Sequence, residues 1–198
     1  MSIKGSKTRQ EIVTKALKIF SVKGYYNTSI GDIMAATGLT KGGLYGHFGS
    51  KEAIWEACYE EAVRVWGEIV FKDVQSIDDP LERLVRLIDN DMRLYLGKDV
   101  FPGGCFFLNM LVELSGQSEH MQKRIWRGFD GFAQRMSSWL GDAERKGLIR
   151  AGLDHAEISG FIIIVLNGAA ALYAASKDAV VWQRTIRQLG SYLEQLRV

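Results

Sequence analysis

Three segments in the C-terminal part of the chain repeat one apolar spacing. Ile125, Phe129, Phe132, Met136 and Trp139 stand 4, 3, 4 and 3 residues apart. Ile158, Ile162, Val165, Ala169 and Leu172 repeat that interval, and so do Trp182, Ile186, Leu189, Leu193 and Leu196. An α-helix turns once in about 3.6 residues, so each set lines one face of a helix. No segment sustains the alternation of a half-buried strand. The chain is therefore expected to be all-α, with helices burying apolar stripes against one another.

Punctuation residues divide the chain into about nine helices. The first, Lys7 to Lys23, carries Ile12, Ala16 and Phe20 on one face and stops at Gly24. Thr28 or Ser29 opens a short helix from Ile30 to Ala36, closed by Gly38. Thr40 caps Lys41 to Phe48, and Ser50 caps a long helix from Lys51 to about Val74. Asp79-Pro80 is an N-cap followed by proline at the first helical position, opening a helix to about Leu96. Gly97 to Gly104 is a loop, Cys105 to Ser115 a helix, and Ser118 to Lys146 a long helix ended by Gly147. Asp154 and Glu157 form a capping-box pattern before the next helix.

Charge is distributed unevenly along the 198 residues. Net charge is +2, yet residues 1–51 hold eight Lys or Arg against only Glu11 and Asp32. A basic head on an acidic body suits a polyanion at one end, although clustering on a solvated face remains an alternative. The expected division is a head over residues 1–50 and a body over 51–198.

Two short helices joined by a tight turn, after a longer supporting helix, describe a helix-turn-helix. In the segment TKGGLYGHF, Leu44 and Phe48 fall on one side of a helix, where they can pin it to the head. Gly42, Gly43 and Gly46 fall opposite, with Tyr45 and His47 on the two edges. A glycine face lets a backbone approach another surface closely, at about 1 kcal/mol of helix propensity per glycine. Lys41 stands in the first turn, where free amides and a long cation can meet an anion.

The stretch TSIGDIMAATGLTKGGLYGHFGSKEAIW, from Thr28 to Trp55, closely resembles the TetR family of repressors. The matching pieces are Thr28 and Ile33, the turn Thr37-Gly38-Leu39, the segment TKGGLYGHF, and Ser50-Lys51-Glu52-Ala53. The resemblance implies that Thr28, Thr40, Tyr45, His47 and Lys51 hold phosphates of double-stranded operator DNA. It implies that Lys41 reaches a base edge or a phosphate, with Gly42 and Gly43 fitting the groove. Gly46 departs from the pattern, since the family often has a larger side chain there. The resemblance also implies a homodimer whose body binds a small-molecule effector.

No Ser-His-Asp arrangement, metal cluster or phosphate loop can be assembled; His47, His120 and His155 are isolated, so neither an enzyme nor a cofactor or metal is expected. A purely architectural DNA binder would not need a large body rich in aromatic residues. Candidate effector contacts are Trp66, Phe101, Phe106, Phe107, Met110, Trp126, Phe129 and Phe132, with Asn109, Glu113 and Asn167 as orienting polar groups. Each could equally be core. The expected effector is a small apolar or aromatic molecule that releases the protein from DNA. Candidate dimer contacts are Ile158, Ile162, Val165, Ala169 and Leu172 with Trp182, Ile186, Leu189 and Leu193, closing a four-helix bundle with a second copy.

The segment PGGCFFLNMLVEL resembles a branch of the family with Gly-Cys at the start of this helix, some members of which sense electrophiles. A helix dipole at Cys105 would favour its thiolate, which makes a cysteine-based sensor the alternative function; a buried core cysteine is the simpler account. Cys58 and Cys105 form no spaced pair, and MSIKGSKTRQ lacks an apolar signal core, so a reducing cytoplasm is expected. Ile158 to Ser176 is uncharged over a near-spanning length. Its glycines, serines and asparagine fit a helix buried between helices better than a membrane span.

Overall fold

In the computed structural model, residues 3–198 are described, and they form nine α-helices, one π-helical stretch and no strand. The helices are α1 (Ile3–Lys23), α2 (Ile30–Thr37), α3 (Lys41–Tyr45), α4 (Lys51–Val70), α5 (Pro80–Asp89), α6 (Phe106–Leu114), α7 (Glu119–Arg145), α8 (His155–Ser176) and α9 (Ala179–Glu194). The chain's end pairs back through an isolated bridge between Ile149 and Arg197.

Local chemistry sets the head. Gly24, at φ 79°, turns the chain out of α1. Ser29 caps α2 with a reciprocal capping box: its hydroxyl accepts from the Asp32 N–H, and the Asp32 carboxylate accepts from the Ser29 N–H. Gly38 closes α2 in the left-handed region, Thr40 caps α3 and Ser50 caps α4. Leu44 and Phe48 are buried with Ile12, Val13, Ala16, Leu17, Phe20 and Ile33, which pins α3 against α1 and α2. α3 is shorter than expected, one and a half turns, because three glycines in six residues weaken its propensity.

The head's core does not stop at residue 50. α1 packs along α4, where Ile54, Trp55 and Cys58 are buried, and the Cys58 thiol lies 3.5 Å from the Val13 carbonyl. α4 thus belongs to both ends of the molecule.

Two elements differ from the periodicity. α4 ends at Val70, not Val74, because the buried Asn90 amide donates to the carbonyls of Val70 and Lys72 at 3.1 and 2.9 Å. Those bonds satisfy carbonyls that a continuing helix would otherwise have taken. The helix from Pro80 is α-helical only to Asp89; Asn90–Leu96 is a π-helix. Its wider turn rotates the following side chains and buries Asp91, Met92 and Tyr95.

α8 packs between α7 and α9, with α5 against α7 and α9. It is the one helix among the described residues long and apolar enough to cross a membrane by length and composition. Its apolar character has two faces: Ile158, Ile162, Leu166, Ala169, Ala170 and Tyr173 point into the protein, while Phe161, Ile164 and Leu172 point out.

Candidate functional site

The surface of α3 presents Lys41, Gly42 and Tyr45 outward. Nothing lies near the position a side chain on Gly42 would take. Gly43 is less open: a β-carbon there would come 3.3 Å from the Thr40 hydroxyl, which accepts the Gly43 N–H. The open glycine is therefore Gly42, with Gly43 turned partly back toward Leu39 and Thr40. His47 is half-buried.

Two of the expected phosphate ligands hold the head together. Thr28 is fully buried, and its hydroxyl donates to the Gly24 carbonyl at 2.6 Å. The Lys51 ammonium donates to the carbonyls of Tyr25 and Thr28 at 2.9 and 3.0 Å and sits 4.2 Å over the Tyr25 ring. Burial lowers its pKa from the usual lysine value, partly countered by Glu113. Thr28 thus has its hydroxyl committed, and Lys51 fixes the loop between α1 and α2.

A cavity of about 100 Å³ opens in the body between α4, the π-helix, the start of α6, α7 and α8. Trp66, Cys105, Phe107, Phe129, Phe132 and Asn167 line it. The other expected effector residues lie elsewhere, for reasons visible in their partners. Phe101 and Phe106 are buried core rings 5.8 Å apart, and Met110 takes the indole N–H of Trp55 on its sulfur at 3.3 Å. Asn109 donates to the Gly103 carbonyl, Glu113 accepts from the backbone of Tyr25 and Tyr26, and Trp126 is 61% exposed.

Sequence periodicity passed over Asp91, Tyr59 and Tyr95, which also line the cavity. Asp91 accepts the Trp66 indole N–H at 2.9 Å. Burial pushes its carboxyl up to about 6, against the indole hydrogen bond that favours the charged form. The available signal was position: Asp91 follows Leu84, Leu87 and Ile88 on an inward stripe, where a charge is out of place.

Cys105 is the N-cap of α6, not its first turn, and its thiol lies 3.8 Å from the Tyr95 hydroxyl. Burial pushes that thiol up to about 11, outweighing the N–H groups of Leu108 and Phe107 that pull it down. The expected depression of its pKa is therefore reversed.

The stripes of α8 and α9 face a direction other than expected. Ile158, Ile162, Ala169, Leu189 and Leu193 are buried within the single chain, and Val165, Trp182 and Ile186 are half-buried against its core. Leu172 alone of the set is well exposed, at 65%. With Ile164 (71% exposed) and Phe161, which packs on Tyr192 at 5.3 Å, it forms an apolar strip on the outside of α8.

Known proteins resemble this chain in sequence and fold. Residues 12–58 match the family described as bacterial regulatory proteins, tetR family, and residues 80–189 match the tetracyclin repressor-like C-terminal domain. The transcriptional repressor DhaR of Mycobacterium sp. strain GP1 is 28% identical over 81% of this chain and 79% of its own. An uncharacterized HTH-type regulator of Lactococcus lactis is 28% identical over 80% of this chain and 83% of its own. A TetR regulator from Chloroflexus aurantiacus superposes with a TM-score of 0.92 at 27% identity, covering 99% of this chain and 98% of that one. A DNA-reading head that matches over α1 to α4, joined to a matching helical body, makes the chain a member of the TetR family of transcriptional regulators.

Proposed function

We propose that this protein is a homodimeric repressor that leaves its operator when a small apolar or aromatic molecule enters the cavity. The observation that carries this reading is α6. One end of that helix forms the cavity wall through Cys105 and Phe107, and the other presents Glu113 to the head, where its carboxylate grips the backbone of Tyr25 and Tyr26. A ligand that shifts α6 would change the pose of the head, and so the spacing of two recognition helices. DhaR, named a repressor, supports the sign of regulation.

Lys41, Gly42 and Tyr45 form the groove-facing surface, with Thr40, Gly43 and His47 at its margin. Lys51 and Thr28 act by fixing the loop that presents it. A second copy covers the outer strip of α8, which accounts for a helix apolar on both faces. Cys105 serves this reading as a neutral thiol in the wall, not as a nucleophile.

Operator selection from random DNA, followed by gel shifts with and without small aromatic compounds, tests the proposal. A near-palindromic site with half-sites about 34–36 Å apart, or a multiple of that, is expected. Ligands that stabilise the protein without changing operator affinity would remove the sensor role.

A further inference from the structure

The cavity holds one charge. Asp91 is buried, one of its oxygens accepts the Trp66 indole N–H at 2.9 Å, and no positively charged side chain among the described residues acts on it. Among the described residues, no Lys, Arg or His lines the cavity, whose other ionisable groups are Tyr59, Tyr95 and Cys105. Aromatic rings line the same cavity as the carboxylate. Trp66 and Phe132 meet edge-to-face at 4.8 Å, Trp66 and Phe107 at 6.1 Å, and Tyr59 and Phe107 at 5.8 Å. Phe129 completes the wall on α7.

Aromatic faces carry negative potential, and a buried carboxylate lacks the water that would solvate it. Both favour a cation over a neutral molecule of the same shape. The folded protein already bears the cost of desolvating Asp91, so an entering ammonium recovers interaction energy without burying a new acid. Size limits the ligand further. A cavity of about 100 Å³ is smaller than an engineered cavity near 150 Å³ that accommodates benzene, so the ligand is no larger than about one ring with its ammonium, and the walls must give slightly to admit it.

We infer that the effector is a small organic cation, an aromatic or branched amine whose ammonium reaches Asp91 while its apolar part sits among the rings of Trp66, Phe107, Phe129 and Phe132. This rests on the effector role proposed for the cavity. Nothing in the apolar spacing of the chain called for it, because Asp91 is the exception to that spacing.

Benzylammonium and ethylbenzene are matched probes, differing by an ammonium in place of a methyl group. Binding of each to the full-length protein at about pH 7.5, measured by calorimetry and ligand-observed NMR, decides the matter. Benzylammonium is expected to bind at least ten-fold more tightly than ethylbenzene. Asp91→Asn retains an oxygen to accept from Trp66 and is expected to abolish that preference. Ethylbenzene binding as tightly as benzylammonium to the wild-type protein overturns the cation assignment and leaves the effector cavity standing. A preference that survives in Asp91→Asn overturns it too. Failure of both probes to bind at millimolar concentration defeats the cation assignment and the effector role of this cavity together. The wild-type comparison decides even if the variant fails to fold.

Discussion

Glu113 on α6 accepts the backbone N–H of Tyr25 at 2.7 Å, with the N–H of Tyr26 on its second oxygen at 2.9 Å. One carboxylate of the body thus holds the two loop amides that follow the head's first helix. Gly24 beside it has no room for a side chain against that carboxylate, and Gly103 backs directly onto the Ser21 carbonyl. Glu113→Ala should free both amides. Bonds to a charged acceptor are worth roughly 1.5–3 kcal/mol each at best, and this site is half-buried, so a loss of about 2 kcal/mol is expected. Hydrogen exchange at Tyr25 and Tyr26 should accelerate, and ligand should lose its effect on operator affinity. Unchanged exchange at both amides would show that the clasp does not persist in solution.

Lys51→Met should lower the melting temperature as well as operator affinity, because the ammonium holds two loop carbonyls. Tyr45→Phe, on an exposed residue, should leave melting unchanged and weaken binding to all sequences alike. Gel shifts beside melting curves separate the two. A Lys51 variant that melts like wild type would return that residue to a purely phosphate-binding role.

The glycine face is tested at Gly42. Gly42→Leu adds helix propensity of roughly 0.5–1 kcal/mol and meets no neighbour, so the free protein should be no less stable while DNA binding collapses. Gly43→Leu should cost stability as well, since its side chain would crowd the Thr40 cap. Operator affinity unaltered in Gly42→Leu would refute close approach of this helix to DNA.

Leu193→Asp should unfold the chain, as that residue is fully buried within it. Ile164→Asp should instead give a folded monomer, because a charge in the exposed strip of α8 affects only what covers it. Sedimentation and circular dichroism report the two outcomes. A dimer that withstands Ile164→Asp places the interface elsewhere.

Asp91 supplies a pH dependence of known sign. Its carboxyl rises from an ordinary 3.8 to about 6 on folding. The native state therefore keeps this proton to higher pH, and the associated stability is present below about pH 4 and lost as pH rises through 6. Asp91→Asn should be more stable than wild type above pH 7, by up to about 3 kcal/mol, and the gap should close toward pH 4. Thermal melts of both proteins from pH 4 to 8 measure it; a gap independent of pH would mean the acid is not desolvated.

Local chemistry along the chain determined the elements. Ser29 with Asp32, Thr40, Ser50, Asp79-Pro80, Gly24 and Gly38 act within a few residues of themselves, so the starts and stops they encode can be read without a fold. The match from Thr28 to Trp55 is equally local, because a recognition helix and its turn need a fixed residue spacing. Tertiary structure alone decided which way each helix faces. The stripe of Ile158, Ile162 and Ala169 is satisfied by α7 and α9 of the same chain, which leaves Phe161, Ile164 and Leu172 outside. Spacing cannot distinguish those faces on a helix that is apolar all round. The π-helical turn at Asn90–Leu96 and the burial of Asp91 beside Trp66, 25 residues away in sequence, come from contacts between helices. Desolvation there raises a carboxyl and, at Cys105, overrides the helix dipole, because burial is a property of the packed neighbours and not of the residue's own turn.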